Sequence, residues 1–238
     1  MIDRYINNKI NAIWNDQNRF DTWKLIQEKY VETLEELKIA EAGIAKKIRK
    51  AEISKEEVYK QEKVTNHDLA SFVDILQKKV GEGSNWVHYG LTSSDIVDSA
   101  NSLLIIQSIE IAQELILNLL KELKLKAIKN KDTKIIGRTH GVYAEETFLG
   151  NIFGNWYLEI KRSLDRVERA KVSIAYGKLS GPVGNHTVVT EEMEKITLEK
   201  LGLKPEIFAS QIVSRDRYAE VFTSLSILAS TYERISTN

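Results

Sequence analysis

The chain has 238 residues, 42% hydrophobic and 29% charged, enough to enclose a sizeable core. Its 34 Lys and Arg balance 34 Asp and Glu, so no overall field draws nucleic acid or an anionic membrane, although a local anion site stays open. Cysteine is absent, which excludes disulfides, thiolate catalysis, Cys-ligated zinc and iron–sulfur clusters. Only two prolines occur, Pro182 and Pro205, against about twelve at ordinary usage, and long proline-free stretches can run as unbroken helix. The expected fold is all-α. The opening "MIDRYINNKINAIW" has no apolar h-region and does not read as a signal peptide, and no apolar run approaches the length of a membrane span.

In chain order, Trp23, Ile26, Tyr30, Leu34 and Leu37 recur at steps of three and four and predict a helix capped by Asp21 or Thr22. Ser54 and Glu57 fit a capping box for a short helix. A third helix is expected from near Asn66, ended by Gly81, and "GEGSNWVHYGLTSSD" (81–95) reads as a loop. These elements predict a small helical domain over 1–93. From Asp95 to about Asn130 neither Pro nor Gly interrupts a stripe of Val97, Leu104, Ile111, Leu115, Leu119, Leu123 and Ile128. A second long helix is expected from about Ala144 to Tyr176, with Phe148, Ile152, Trp156, Ile160, Leu164 and Val167 on one face. A loop at 177–187, a helix from a Thr190 cap to Leu201, and a last helix from near Ser214 complete the pattern. Val221, Leu225, Leu228, Tyr232 and Ile235 carry that last stripe to the end, so "YERISTN" reads as a cut. Helices this long need long partners over their apolar faces, so 94–238 is expected to be an incomplete long-helix bundle.

Four histidines, His67, His88, His140 and His186, sit at or near loop–helix junctions, without the spacing of a metal site. "TNHDLASF" puts His67 beside Asp68, a carboxylate able to orient the imidazole. "TSSD" sets Thr92, Ser93 and Ser94 before the longest helix, as an anion site or as an N-cap with spare serines. "GRTHG" (137–141) offers Arg138, Thr139 and His140, suited to a dicarboxylate or phosphate, or else a polar capping loop. "GKLSGPVG" is glycine-rich but is not a P-loop.

Taken together, "RY" (4–5), "IWNDQNRF" (13–20), "NHDLASF" (66–72), "WVHYGLTSSDIVDSA" (86–100), "GRTHGVYAEETFLG" (137–150), "GKLSGPVG" (177–184) and "SQIVSRDR" (210–217) resemble the N-terminal part of the adenylosuccinate lyase family, in the fumarase/aspartase superfamily. The resemblance implies elimination of fumarate from adenylosuccinate, giving AMP, and from the succinocarboxamide ribotide of purine synthesis. A base takes a proton beside a succinyl carboxylate and an acid protonates the leaving nitrogen, with no cofactor and no metal. By resemblance His140 is the general acid, and His67, with Asp68 and the adjacent Asn66, orients the substrate. His88 lies near the nucleotide. Thr92, Ser93 and Thr139 hold carboxylate oxygens, Arg4 and Tyr5 bind the nucleotide, and Gln211 and Arg215 contact substrate. The resemblance further implies a cytoplasmic homotetramer whose sites draw on several subunits, acting on a small-molecule nucleotide and on neither nucleic acid nor membrane.

The chain departs from the family pattern at Tyr143, where His is usual, at Glu146, where Pro is usual, and at Asn185 and His186, where Thr-Tyr is common. The family's SSxMPxKxNP loop, bearing the serine base, is expected downstream of residue 238, so these 238 residues alone are expected to be inactive. Two other readings remain: another fumarate-releasing lyase of the superfamily, and a non-catalytic helical scaffold.

Overall fold

The computed structural model describes residues 3–238; residues 1–2 of the opening segment lie outside the described residues. Nine α-helices carry the described chain: α1 (Asn8–Ile13), α2 (Asp16–Glu36), α3 (Ile44–Lys50), α4 (Lys55–Thr65), α5 (Asp68–Val80), α6 (Ser93–Lys129), α7 (Leu149–Ile174), α8 (Glu191–Lys200) and α9 (Asp216–Ser236). Four short strands accompany them: β1 (Lys134–Thr139), β2 (Val142–Phe148), β3 (Tyr176–Gly177) and β4 (Lys204–Pro205). The chain divides into two compact units, one of residues 1–108 with 175–215, the other of 109–174 with 216–238. These units group the chain by packing and follow other bounds than the domains 1–93 and 94–238 expected from the sequence.

In the first unit the expected stripe of α2 is the core: Trp23, Ile26, Tyr30 and Leu34 are buried. The helix starts earlier than expected. Asn15 is its N-cap, accepting from the Asn18 N–H, so Asp21 and Thr22 lie inside it. Aromatic edges finish the packing, with ring centroids 5.3 Å apart for Phe20 and Trp23 and 5.6 Å for Trp23 and Phe72. The Ser54–Glu57 capping box forms as expected. α5 begins two residues after Asn66, because Asn66 adopts a left-handed conformation that closes α4 and His67 takes the N-cap. β3 and β4 pair in parallel across α8, which brings the strand residue Gly177 against α6. A Cβ at Gly177 would lie 2.8 Å from both the Ser99 hydroxyl oxygen and Leu198 Cδ2, so a larger residue there would have to displace those side chains.

In the second unit β1 and β2 form an antiparallel hairpin where the long helix was expected to begin, so α7 starts at Leu149 and not near Ala144. His140 (φ 54°) and Gly141 (φ 78°) make a two-residue turn with positive φ at both positions, the geometry that follows strand twist. α7 buries Ile160, Leu164 and Val167 and packs on α9, which buries Val221 and Leu228. Arg234 of α9 pairs with Glu159 of α7, and Lys171 of α7 lies 2.7 Å from Glu110 of α6.

α6 runs through both units. Its buried apolar residues are Ile96, Ala100, Leu104, Ile105, Ile109, Ile116, Leu120 and Leu123, whereas Leu115 and Ile128 of the expected stripe are exposed. The helix is apolar on more than one face, so periodicity alone does not select the covered one. By length and composition alone it is also apolar enough to cross a membrane, contrary to the expectation that no run approaches that length. Its first turns nevertheless bury two carboxylates, Asp95 and Asp98.

Candidate active site at the N-terminus of the longest helix

The start of α6 gathers the chemistry of the first unit. Asp95 sits in its first turn, fully buried, and accepts from the Thr92 N–H at 2.8 Å. The Ser180 N–H (3.3 Å) and Gly181 N–H (3.2 Å) also donate to it, and Lys178, equally buried, forms an ion pair with it. The Lys178 ammonium also donates to the Gly181 carbonyl at 2.9 Å, and Ser99 exchanges hydrogen bonds with the Lys178 backbone. One carboxylate thus ties the glycine-rich segment 177–184 to the helix that presents Thr92 and Ser93. A buried charge pair survives only when its remaining lone pairs and protons are served, as they are here.

One turn further on, Asp98 accepts from the Val213 N–H at 2.8 Å and from both terminal nitrogens of Arg215 at 3.1 Å. The segment carrying Gln211 and Arg215 is therefore held against the same helix. Gln211 itself is exposed. Beneath the glycine-rich segment, Glu194 of α8 accepts from the Leu179 N–H at 2.6 Å and lies 3.6 Å from His186 Nε2. Burial pushes the Glu194 carboxyl above its ordinary range, against the lowering effects of the Leu179 N–H and of His186.

His67 reaches the same place from the start of α5. Its Nε2 lies 3.3 Å from the Ser93 hydroxyl. Its Nδ1 accepts from the Ala70 N–H at 3.3 Å, so the neutral ring carries its proton on Nε2, facing Ser93. Asp68 Oδ1 is 3.4 Å from Nδ1. The expected pairing is present, but the helix N–H shares that nitrogen.

His88 is mostly buried; burial first, and the nearby His67 second, push its imidazole down to about 4. Its contacts are with Gln27 on α2, at Nδ1 (2.8 Å) and at the backbone N–H (2.9 Å). Arg4 stacks over the Tyr5 ring at 4.7 Å, and Tyr5 is exposed. Asn66 is exposed at the α4–α5 junction. Thr139 and His140 belong to the second unit, exposed at the hairpin tip, where Arg138 stacks on Tyr143 at 5.1 Å. Among the described residues no group of three or more His, Asp or Glu is placed to hold a metal ion.

Residue-level reading of the sequence missed Gln27, Asp98, Lys178 and Glu194. A signal existed for two of them. Gln27 interrupts the α2 stripe four residues after Trp23 and three before Tyr30, and a polar residue on a core face needs a partner. Asp98 repeats Asp95 at i+3, on the same face of α6.

In the first unit, then, the His67 imidazole, the Ser93 hydroxyl and the Thr92, Ser180 and Gly181 N–H groups gather at the N-terminus of one long helix. The sequence model of a lyase family matches residues 7–238, and the chain belongs to that family. It is 40% identical to adenylosuccinate lyase of Thermotoga maritima over 99% of this chain and 55% of the relative. It is 38% identical to that of Aquifex aeolicus over 100% of this chain and 55% of the relative. The chain thus spans about half the length of these relatives, and its resemblance to the N-terminal portion of adenylosuccinate lyases holds throughout. Among solved structures, a fumarate lyase from Mesorhizobium sp. BNC1 superposes with a TM-score of 0.91 at 19% identity, covering 97% of this chain and 56% of that one. A β-carboxy-cis,cis-muconate cycloisomerase from Acinetobacter calcoaceticus sp. ADP1 superposes at 0.89 and 20% identity, over 97% and 56%. At that identity the likeness concerns the fold, and the fold is the expected fumarase/aspartase-like, mostly helical one.

Proposed function

We propose that the complete protein is an adenylosuccinate lyase that eliminates fumarate from adenylosuccinate, giving AMP, and from the succinocarboxamide ribotide of purine synthesis. The observation that carries the reading is the meeting of His67 with Ser93 at the start of α6, within a chain 40% identical along its length to a relative of that name. Thr92 and Ser93 stand at the start of a 37-residue helix, whose N-terminal dipole favours a carboxylate. His67, a donor at Nε2, orients that carboxylate or the leaving group beside it. His140 serves as general acid on the leaving nitrogen, Thr139 shares the carboxylate contacts, and Arg4, Tyr5, Asn66, Asp68, His88, Gln211 and Arg215 bind substrate. The base is a serine on a segment downstream of these 238 residues. The working enzyme is a cytoplasmic homotetramer with sites shared between subunits, and it requires no cofactor.

The test is fumarate release from adenylosuccinate by the full-length protein, purified from a host without its own lyase. His140→Asn keeps a residue that tolerates the left-handed turn and removes the imidazole. It is expected to lower kcat about 100-fold or more with unchanged circular dichroism. A variant as active as the wild type ends the assignment of His140. The 238-residue polypeptide by itself is expected not to turn over, and enzyme-like release by it would end the assignment of a downstream base.

A further inference from the structure

We infer that Gln27 is a positioning residue whose carboxamide locks His88 in the neutral tautomer carrying its proton on Nε2, so that the ring meets a ligand as a hydrogen-bond donor. The inference rests on the reading of this region as the nucleotide site, and it goes beyond that reading by assigning the ring's protonation state and the residue that sets it.

Gln27 has no exposed surface, an unusual place for a primary amide. Both ends of its side chain are used on one residue. Its Oε1 accepts from the His88 backbone N–H at 2.9 Å, and its Nε2 lies 2.8 Å from His88 Nδ1. The first bond dictates the second. A backbone N–H can only donate, so the amide atom facing it is the oxygen, and the atom facing the ring is the nitrogen. An amide nitrogen can only donate, so Nδ1 holds a lone pair there, and in a neutral imidazole the proton is then on Nε2. A second proton at Nδ1 would set N–H against N–H in a buried place, which disfavours the cation.

The surroundings hold the ring still. His88 sits in the left-handed region at φ 65°, costly for a residue with a Cβ. Its neighbours are pinned on both sides: the Tyr30 hydroxyl donates to the Tyr89 carbonyl at 2.8 Å and Gln77 Nε2 donates to the Val87 carbonyl at 3.3 Å. A backbone staple alone needs only an acceptor at position 27, whereas the bond to the ring demands a donor as well. The titratable groups facing this segment are His67 at the start of α5, Tyr30 on α2 and Tyr89 beside the ring, with Asp95 of α6 acting on Tyr30. None of them offers Nδ1 a competing carboxylate in the described contacts.

The experiment uses the full-length protein labelled with 15N-histidine, with Gln27→Glu and Gln27→Met. In the wild type the ring of His88 is expected to show an unprotonated Nδ1 and a protonated Nε2 from pH 6 to pH 8. Gln27→Glu keeps the acceptor for the backbone N–H and replaces the donor by an anion. It is expected to place a proton on Nδ1 and to raise the ring pKa by about 1–3 units. The ratio of variant to wild-type KM for adenylosuccinate then falls as pH drops from 8 to 6, by about tenfold for each unit by which ligand shifts the ring pKa. Gln27→Met, which can make neither bond, is expected to lose the single tautomer, with circular dichroism reporting whether it folds. A wild-type ring protonated on Nδ1, or Gln27→Glu spectra that match the wild type, overturns the inference. Absence of fumarate release by the wild type would instead overturn the functional reading, and the ring spectra would still decide the role of Gln27.

Discussion

At the scale of single residues, the site shows how a shared atom changes a role. His67 and Asp68 were legible as a pair because they are adjacent in sequence. That Nδ1 also caps α5, and so turns Nε2 toward Ser93, depends on a helix start no spacing rule places to the residue. His88 carries a consequence for stability. Its imidazole is pushed from 6.5 down to about 4 in the folded chain, so the unfolded chain binds more protons between those values. Stability from this group is therefore present above about pH 6.5 and is lost as pH falls toward 4, by on the order of 3 kcal/mol at most. Urea midpoints of the full-length protein between pH 7 and pH 4.5 are expected to fall more steeply for the wild type than for His88→Asn, a residue that tolerates the same left-handed backbone. Parallel slopes would show that His88 does not carry that dependence.

At the scale of elements, the long helices, the Ser54 box and the Thr190 cap were readable because each is written in local spacing. The hairpin at 134–148 was not, although "IIGRT" and "VYAEETF" around His-Gly hold β-branched and aromatic residues. Its strands pair with each other, and their pattern also satisfies a helix start, so pairing decides. Gly141 has φ 78° and open space around a Cβ, so Gly141→Ala meets only the backbone cost, about 1–2 kcal/mol. Amide exchange over residues 134–148 is expected to quicken while the global melting temperature stays within a degree or two. Asp95 and Lys178 make an asymmetric pair. Lys178→Met leaves a carboxylate still served by the Thr92, Ser180 and Gly181 N–H groups, whereas Asp95→Asn leaves a buried ammonium with the Gly181 carbonyl. Asp95→Asn is expected to cost about 3–5 kcal/mol and Lys178→Met clearly less, read from thermal unfolding. The reverse order would show that the ammonium, not the carboxylate, organises the glycine-rich segment.

For the whole molecule, exposed Leu115, Leu117, Leu125 and Ile128 on α6, with Phe222 and Ile227 on α9, leave apolar surface of the second unit in water. Surface of that kind drives association. The 238-residue polypeptide is expected to elute in sizing chromatography as an oligomer or aggregate, and Leu117→Glu with Ile128→Glu to shift it to smaller species. A sharp monomer peak for the unsubstituted polypeptide would contradict this. By itself the sequence determined the mostly helical class, the core stripe of α2, the long α6 and the family, because helical period, capping and ordered motifs are local properties of a chain. Only the tertiary structure decided which face of α6 is covered, that Asp95 and Asp98 anchor segments more than 80 residues away, and that Gln27 faces His88 across 61 positions. Those contacts are fixed by packing and by the need to satisfy buried polar atoms: local spacing marks Gln27 and Asp98 as polar residues in need of partners, and packing alone chooses the partners.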